Sequence, residues 1–264
     1  MDNIEKIKKL KEEKNAIILA HYYVDEEVQK IADYIGDSFY LAKVASQTEA
    51  DRIVFAGVEF MGESAKILNP NKKVLMPDAF ADCPMAHMIT IKEIKEMREK
   101  YDDLAVVCYI NSTAEIKQYA DVCVTSSNAV KIVKALPQKN IFFIPDQNLG
   151  DFVRRQVPEK NVMTNYGHCP RHTNITLDKL NEVKQKYPEA KIAVHPECKR
   201  EIVEAADFVG STSAIIDYVV QTDVKDFIIG TVDGVFAKIK ELAPNKNLHT
   251  IMDCLLYTSD AADD

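Results

Sequence analysis

The chain has 264 residues, 47% hydrophobic and 28% charged, with 41 acidic against 33 basic side chains and a formal net charge of −8. This composition excludes a disordered or collagen-like chain. The acidic balance argues against a nucleic-acid partner, which would need a basic surface to neutralise phosphates. No apolar run approaches the roughly 20 residues of a membrane-spanning helix, and the charged N-terminus lacks the apolar stretch of a signal peptide. The expectation is a cytoplasmic protein with no membrane partner, and length alone suggests two domains.

In chain order, the first ten residues read as a charged helix, followed by the short apolar strand Ile17–Ala20. Val28, Ile31, Ala32 and Ile35 fall at i, i+3, i+4 and i+7, the apolar stripe of a helix. Ile53–Ala56 and Lys73–Met76 are almost wholly apolar, as expected of strands buried on both faces. Cysteines stand at 83, 108, 123, 169, 198 and 254, with no Cys-x-x-Cys pair, and in a reducing compartment structural disulfides are not expected. Cys108 and Cys123 lie in apolar runs and read as core residues. Cys83 and Cys169 each precede a proline among polar residues, a loop setting better suited to chemistry.

The layout then recurs. Ile17-Ile-Leu-Ala-His21-Tyr-Tyr23, Val106-Val-Cys-Tyr109-Ile-Asn111 and Ile192-Ala-Val-His195-Pro-Glu197 are apolar runs that end in a polar ring at the same place. Each is followed by an Ala-Asp pair, with Asp33, Asp121 and Asp207, and then by a hydroxyl at Ser38, Ser126 and Thr212. Phe55, Phe143 and Phe227 precede Gly62, Gly150 and Gly234 at one spacing. The aspartates are 88 and 86 residues apart, and Cys83 and Cys169 are 86 apart. Such a period replaces two domains by three units, expected at 1–88, 89–174 and 175–253, with 254–264 as a tail. Each unit reads as three strands alternating with helices, which implies a parallel sheet with right-handed crossovers. The fold class is therefore α/β: three pseudo-symmetric αβα sandwich domains around a central site.

Ligand sites in open parallel sheets lie beyond the carboxyl ends of the strands. The repeat puts His21 with Tyr23, Tyr109 with Asn111, and His195 with Glu197 at those ends. Ser38, Ser126 and the Ser211-Thr212 pair are expected to open helices, where hydroxyls and N–H groups suit carboxylate or phosphate. The three copies carry different residues, which suits an asymmetric ligand better than a shared structural need. The cysteines obey the same spacing, and a third unit would present its thiol near 254. Three thiolates can hold zinc, with His168 or His172 as fourth ligand, or a four-iron cluster with one iron left open. The spacing does not choose between these, and Cys198, beside the His195 strand end, reads as the rival ligand or a bland residue.

At these residues the chain resembles the quinolinate synthase family, A-type, an iron–sulfur enzyme of NAD biosynthesis. The resemblance is carried by Leu19-Ala-His21-Tyr-Tyr23, Ile35-Gly-Asp-Ser38, Cys83-Pro-Met85, Tyr109-Ile-Asn111-Ser-Thr113, Gly167-His-Cys169-Pro170, His195-Pro-Glu197-Cys198 and Gly210-Ser-Thr212, and covers about residues 5–253. It implies three αβα domains around one [4Fe–4S] cluster with three Cys ligands. It also implies condensation of iminoaspartate with dihydroxyacetone phosphate to quinolinate, with loss of phosphate and water. Cys83 and Cys169 then stand as cluster ligands, with the third position at Cys254. His21, Ser38, Tyr109, Asn111, Ser126, His172, His195, Glu197, Ser211 and Thr212 stand as substrate-binding residues. Tyr23, Tyr109, His195 and Glu197 are the candidate bases and proton shuttles. The partners implied are the two substrates and an enzyme that produces the imine, with a homodimer left open.

Two departures from the family pattern stand out. Val232 occupies a position where the family usually places Glu. The last residues, Cys254-Leu-Leu-Tyr-Thr-Ser-Asp-Ala-Ala-Asp-Asp264, read as an in-frame sequencing adapter, so the native third cysteine is expected to be missing and Cys254 to stand near its position by coincidence. The rival readings are a diphthamide-synthesis-type enzyme of the same triplicated architecture and a non-catalytic binder of small anions.

Overall fold

The computed structural model describes residues 3–251, which fall into two compact units, residues 3–83 and 84–251. Cys254 and the rest of the 254–264 tail lie outside the described residues. The first unit runs α1 (Asn3–Glu13), β1 (Ala16–His21), α2 (Glu26–Ile31), β2 (Tyr34–Gly36), α3 (Ser38–Gln47), β3 (Arg52–Ala56), α4 (Glu59–Leu68) and β4 (Lys73–Leu75). Its four strands form one parallel sheet in the order β2-β1-β3-β4.

The second unit holds two more sheets of the same kind. The first runs α5 (Ile91–Lys100), β5 (Leu104–Tyr109), α6 (Ala114–Lys117), β6 (Val122–Val124), α7 (Ala129–Ala135), β7 (Asn140–Ile144), α8 (Gln147–Gln156) and β8 (Asn161–Thr164), in the order β6-β5-β7-β8. After the short α9 (Pro170–Thr173) come α10 (Leu177–Lys186), β9 (Lys191–Val194), α11 (Arg200–Glu204), β10 (Phe208–Val209), α12 (Thr212–Gln221), β11 (Asp226–Gly230), α13 (Val235–Leu242) and β12 (Asn247–Thr250), in the order β10-β9-β11-β12. The inner strands carry the core. Every residue of β5 is buried, and Val106, Cys108, Phe142 and Ile144 pack with Ile94 of α5 and Ile116 of α6.

The expected α/β fold with three parallel sheets is present, with four strands in each rather than three. The stripe from Val28 to Ile35 is interrupted: the helix stops at Ile31, and Ile35 lies in β2, paired with Ala20. Asp33 causes the break, because its N–H and carboxylate both bind the backbone of Ile18 and set the chain beside β1. The Lys73–Met76 run is also not buried on both faces. Its strand, β4, lies at the sheet edge with Lys73 and Leu75 exposed. Cys108 is buried as expected, but Cys123 is exposed, because β6 is likewise an edge strand.

The repeated aspartates are strand clamps. Asp33 accepts from Ile18 N (2.8 Å), Asp121 from Val106 N (2.7 Å) and Asp207 from Ile192 N (2.8 Å), while each aspartate N–H donates back to the same residue's carbonyl at 2.9 Å. A second triplet, Lys72, Lys160 and Lys246, donates to carbonyls preceding the third strand of its sheet: Thr48, Leu136 with Gln138, and Thr222 with Val224. Gly62 and Gly150 let a helix lie close on the fourth strand. A Cβ on Gly62 would meet Met76 Sδ at 2.4 Å, and one on Gly150 would meet Thr164 Cγ2 at 2.4 Å. Gly234 differs from them, standing as the N-cap of α13.

Candidate active site

In the second unit the carboxyl ends of two sheets meet around a buried polar cluster. Glu197, just beyond β9, places Oε2 2.7 Å from Nδ1 of His172 and 3.3 Å from Nδ1 of His195. The two imidazoles stack with centroids 4.8 Å apart. His172 sits in α9, where Pro170 at the first turn fixes the helix start directly after Cys169. Its Nδ1 also lies 3.2 Å from Cys169 Sγ, and its Nε2 lies 3.0 Å from the Thr231 hydroxyl. Cys169, His172 and Glu197 thus offer ligand atoms within 4.8 Å of one another, all buried. The Asn148 amide, in α8, donates to the Glu197 carbonyl (3.1 Å) and the Thr173 hydroxyl (3.3 Å), bracing the two sides.

Electrostatics separate two buried carboxyls here. Burial opposes ionisation of Glu197, but His195 and His172 together outweigh it and hold the carboxyl well below the usual range. Asp146 is the opposite case. Burial first, and the Glu197 charge second, push its carboxyl well up, against hydrogen bonds from the backbone of Leu149 (2.7 Å) and Cys169 (2.9 Å). Glu197 Oε1 is buried and has no hydrogen-bond partner among the described residues, so one carboxylate oxygen is available to a ligand. His195 Nδ1 lies 3.3 Å from both the Glu197 N–H and Glu197 Oε2. Unprotonated, it accepts from the former; protonated, it donates to the latter. The ring can therefore take up or release a proton by exchanging partners.

The other residues singled out in the sequence fall as follows. Tyr109 is buried at the end of β5, and its carbonyl accepts from Ser112 (3.0 Å). Asn111 is half-buried, with a buried Oδ1 that has no partner among the described residues. Thr212 is buried at the first turn of α12, with Ser211 as the cap accepting from Ala214 N. Ser126 lies in the turn before α7, whose N-cap is Asn128, so it does not open that helix. In the first unit, His21 ends β1, accepts from Tyr23 N (3.3 Å) and meets the Tyr23 ring edge-on. Ser38 is the first residue of α3, but Asp37 supplies the cap, accepting from Tyr40 N. Cys83 is buried in the loop after β4. Of the two candidate histidine ligands, His172 stands at Cys169, whereas His168 Nδ1 lies 3.3 Å from the Tyr166 carbonyl. Cys198 belongs to the core of the third sheet, its thiol on the Gly230 carbonyl.

Sequence reading missed Asp146, Asn148 and Thr231. Asp146 had a signal: it stands four residues before Gly150, where the other copies have Val58 and Gly230. A carboxylate in only one of three equivalent positions marks a place where the repeat has been broken. Thr231 and Asn148 carry no such mark, because what distinguishes them is contact across two sheets.

The thiol, imidazole and carboxylate of Cys169, His172 and Glu197 are donors that could hold a metal ion. Cys83 and Cys169 occupy equivalent loops after the fourth strand of their sheets, and both thiols are buried and outside any disulfide. The Cys169 backbone is also anchored by Asp146. The remaining position, Cys254, is outside the described residues.

Comparison with known proteins gives the family. A family profile described as Quinolinate synthetase A protein matches residues 5–260. The chain is 61% identical over 245 residues to the quinolinate synthase of Fusobacterium nucleatum, covering 93% of this chain and 82% of that protein. It is 55% identical over 244 residues to the one from a Sulfurihydrogenibium species (92% and 79%) and 52% identical over 242 residues to that of Aquifex aeolicus (92% and 75%). The chain belongs to the Quinolinate synthetase A protein family.

Proposed function

We propose that the chain makes quinolinate for NAD biosynthesis, condensing iminoaspartate with dihydroxyacetone phosphate and releasing phosphate and water. The observation that carries this reading is the buried Glu197–His172–His195 cluster beside the Cys169 thiol, with one carboxylate oxygen unpartnered, in a member of this family. Enolisation, imine formation and dehydration each move a proton. Glu197 Oε1 is the base, and His195 is the carrier that changes partner as it protonates. Tyr109 and Tyr23 are further proton carriers at strand ends.

The substrates bring two carboxylates and a phosphate. Their recognition falls to His21, Ser38, Asn111, Ser126, His172, Ser211 and Thr212, through N–H and hydroxyl donors. Cys83 and Cys169 would hold a [4Fe–4S] cluster, with Cys254 only standing near the position of the third ligand, and such a cluster would supply a Lewis-acidic iron for the dehydration. Each sheet with its helices acts as one domain, at 1–88, 89–174 and 175–253. The working compartment is the cytoplasm, and an imine-producing enzyme is the functional partner.

The test is anaerobic reconstitution with iron and sulfide, followed by assay with dihydroxyacetone phosphate and iminoaspartate generated in situ. Quinolinate and phosphate in equal amounts are expected. A cluster-loaded protein that forms no quinolinate overturns the substrate assignment, and a chain that takes up no iron and sulfide overturns the cofactor assignment.

A further inference from the structure

Cys108 and Cys123 are register partners on the adjacent parallel strands β5 and β6. Register partners project to the same face of a sheet, and neighbouring strands lie about 4.8 Å apart. That spacing is inside the Cα separation of roughly 4.4–6.8 Å that a disulfide accepts. Cys123 is exposed, whereas Cys108 is buried. Neither belongs to the polar cluster of the candidate active site. We propose that Cys108 and Cys123 form a dithiol modification site, which reacts with low-molecular-weight disulfides to give a reversible Cys108–Cys123 disulfide.

The asymmetry of the pair assigns the order of events. A hydrogen bond with Cys108 lowers the Cys123 thiol to about 7, and the same contact together with burial raises Cys108. The exposed sulfur is therefore the one present as thiolate near neutrality, and thiolate is the attacking species. Cys123 attacks one sulfur of the small disulfide, a new S–S bond forms, and the first thiolate leaves. Cys108 then attacks the Cys123 sulfur from the adjacent strand, and the second thiolate leaves to solvent, taking up the proton that Cys108 gives. The small disulfide is reduced to two thiols, and the protein dithiol is oxidised. Burial keeps Cys108 from reacting directly, so it acts only once Cys123 carries the adduct.

The experiment uses the cluster-loaded chain under anaerobic conditions with oxidised glutathione. The protein is then unfolded in guanidinium chloride, remaining thiols are blocked with a maleimide, and peptides are mapped by mass spectrometry. The expected result is a linked peptide pair, loss of two alkylatable thiols per chain and recovery of both with dithiothreitol. The Cys108→Ser variant should stop at a glutathione adduct on Cys123, and Cys123→Ser, on an exposed edge, should form neither adduct nor link. Two results overturn the proposal. In one, both wild-type thiols alkylate as in the untreated protein. In the other, the wild-type adduct on Cys123 persists as long as it does in Cys108→Ser.

Discussion

On the N-terminal side of the three sheets, Asp33, Asp121 and Asp207 bind the same backbone groups, and Lys72, Lys160 and Lys246 cap the same carbonyls. On the C-terminal side, the equivalent positions hold His21, Tyr109 and His195, and next to them Tyr23, Asn111 and Glu197. The first set is satisfied within its own sheet. The second leaves Asn111 Oδ1 and Glu197 Oε1 without partners among the described residues. A buried polar atom left unpaired costs free energy, and at Asn111 and Glu197 it falls on residues that differ between the copies. Identity between copies follows the needs of the fold; difference between copies follows the needs of the site.

Substitutions should respect that division. The largest effect is expected from Glu197→Gln, which removes the proposed base: quinolinate formation by the reconstituted protein should fall by about 10²–10⁴-fold, with iron content unchanged. Asp146→Ala should come next. It removes a helix cap, worth about 1 kcal/mol, and strands the buried Cys169 N–H at about 1–3 kcal/mol more, visible as a lower urea midpoint. Asp121→Ala, at the opposite end, should cost about 1–3 kcal/mol of stability through the orphaned Val106 N–H, while activity per folded molecule stays at the wild-type level. A loss of activity as large as that of Glu197→Gln would break the distinction between the two ends.

The acid limb tests the electrostatics. The Glu197 carboxyl lies lower in the folded chain than in the unfolded one, so its contribution to stability is present above the unfolded value of about 4.3. That contribution is lost as pH falls below this value toward the folded one. Urea midpoints between about pH 3 and 6 should therefore fall less steeply for Glu197→Gln than for the wild type. The smallest effect is expected from Thr231→Val, which deletes the hydroxyl on His172 Nε2 for about 0.5–1.5 kcal/mol. Its more telling readout is a shifted pH profile of activity.

Much of this was legible in the sequence, for reasons that differ between the two ends. The period could be read because the clamps require aspartate at a fixed distance from the first strand, so three copies retain it. The strand-end positions His21, Tyr109, His195 and Glu197 could be read because the clamps fix where each first strand ends. Strand β2 was hidden because three residues are too few to show alternation, and Ile35 fitted a helical stripe by accident. Cys123 was misread because an apolar neighbourhood does not tell an edge strand from an inner one. Thr231 and Asn148 matter only through contacts made across two sheets, which no local pattern records.

The edges themselves have a further consequence. Among the described residues the six edge strands are all short: β10 has two residues, β2, β4 and β6 have three, and β8 and β12 have four. An open sheet normally offers its unpaired edge as a template on which another chain can add a strand. Here the longest strands, β1 and β5 at six residues, lie inside their sheets, and the rims present only a few backbone groups each. A chain that repeats an open sheet three times would otherwise multiply its risk of aggregation threefold. Brevity at the rims lets the triplication proceed without that liability.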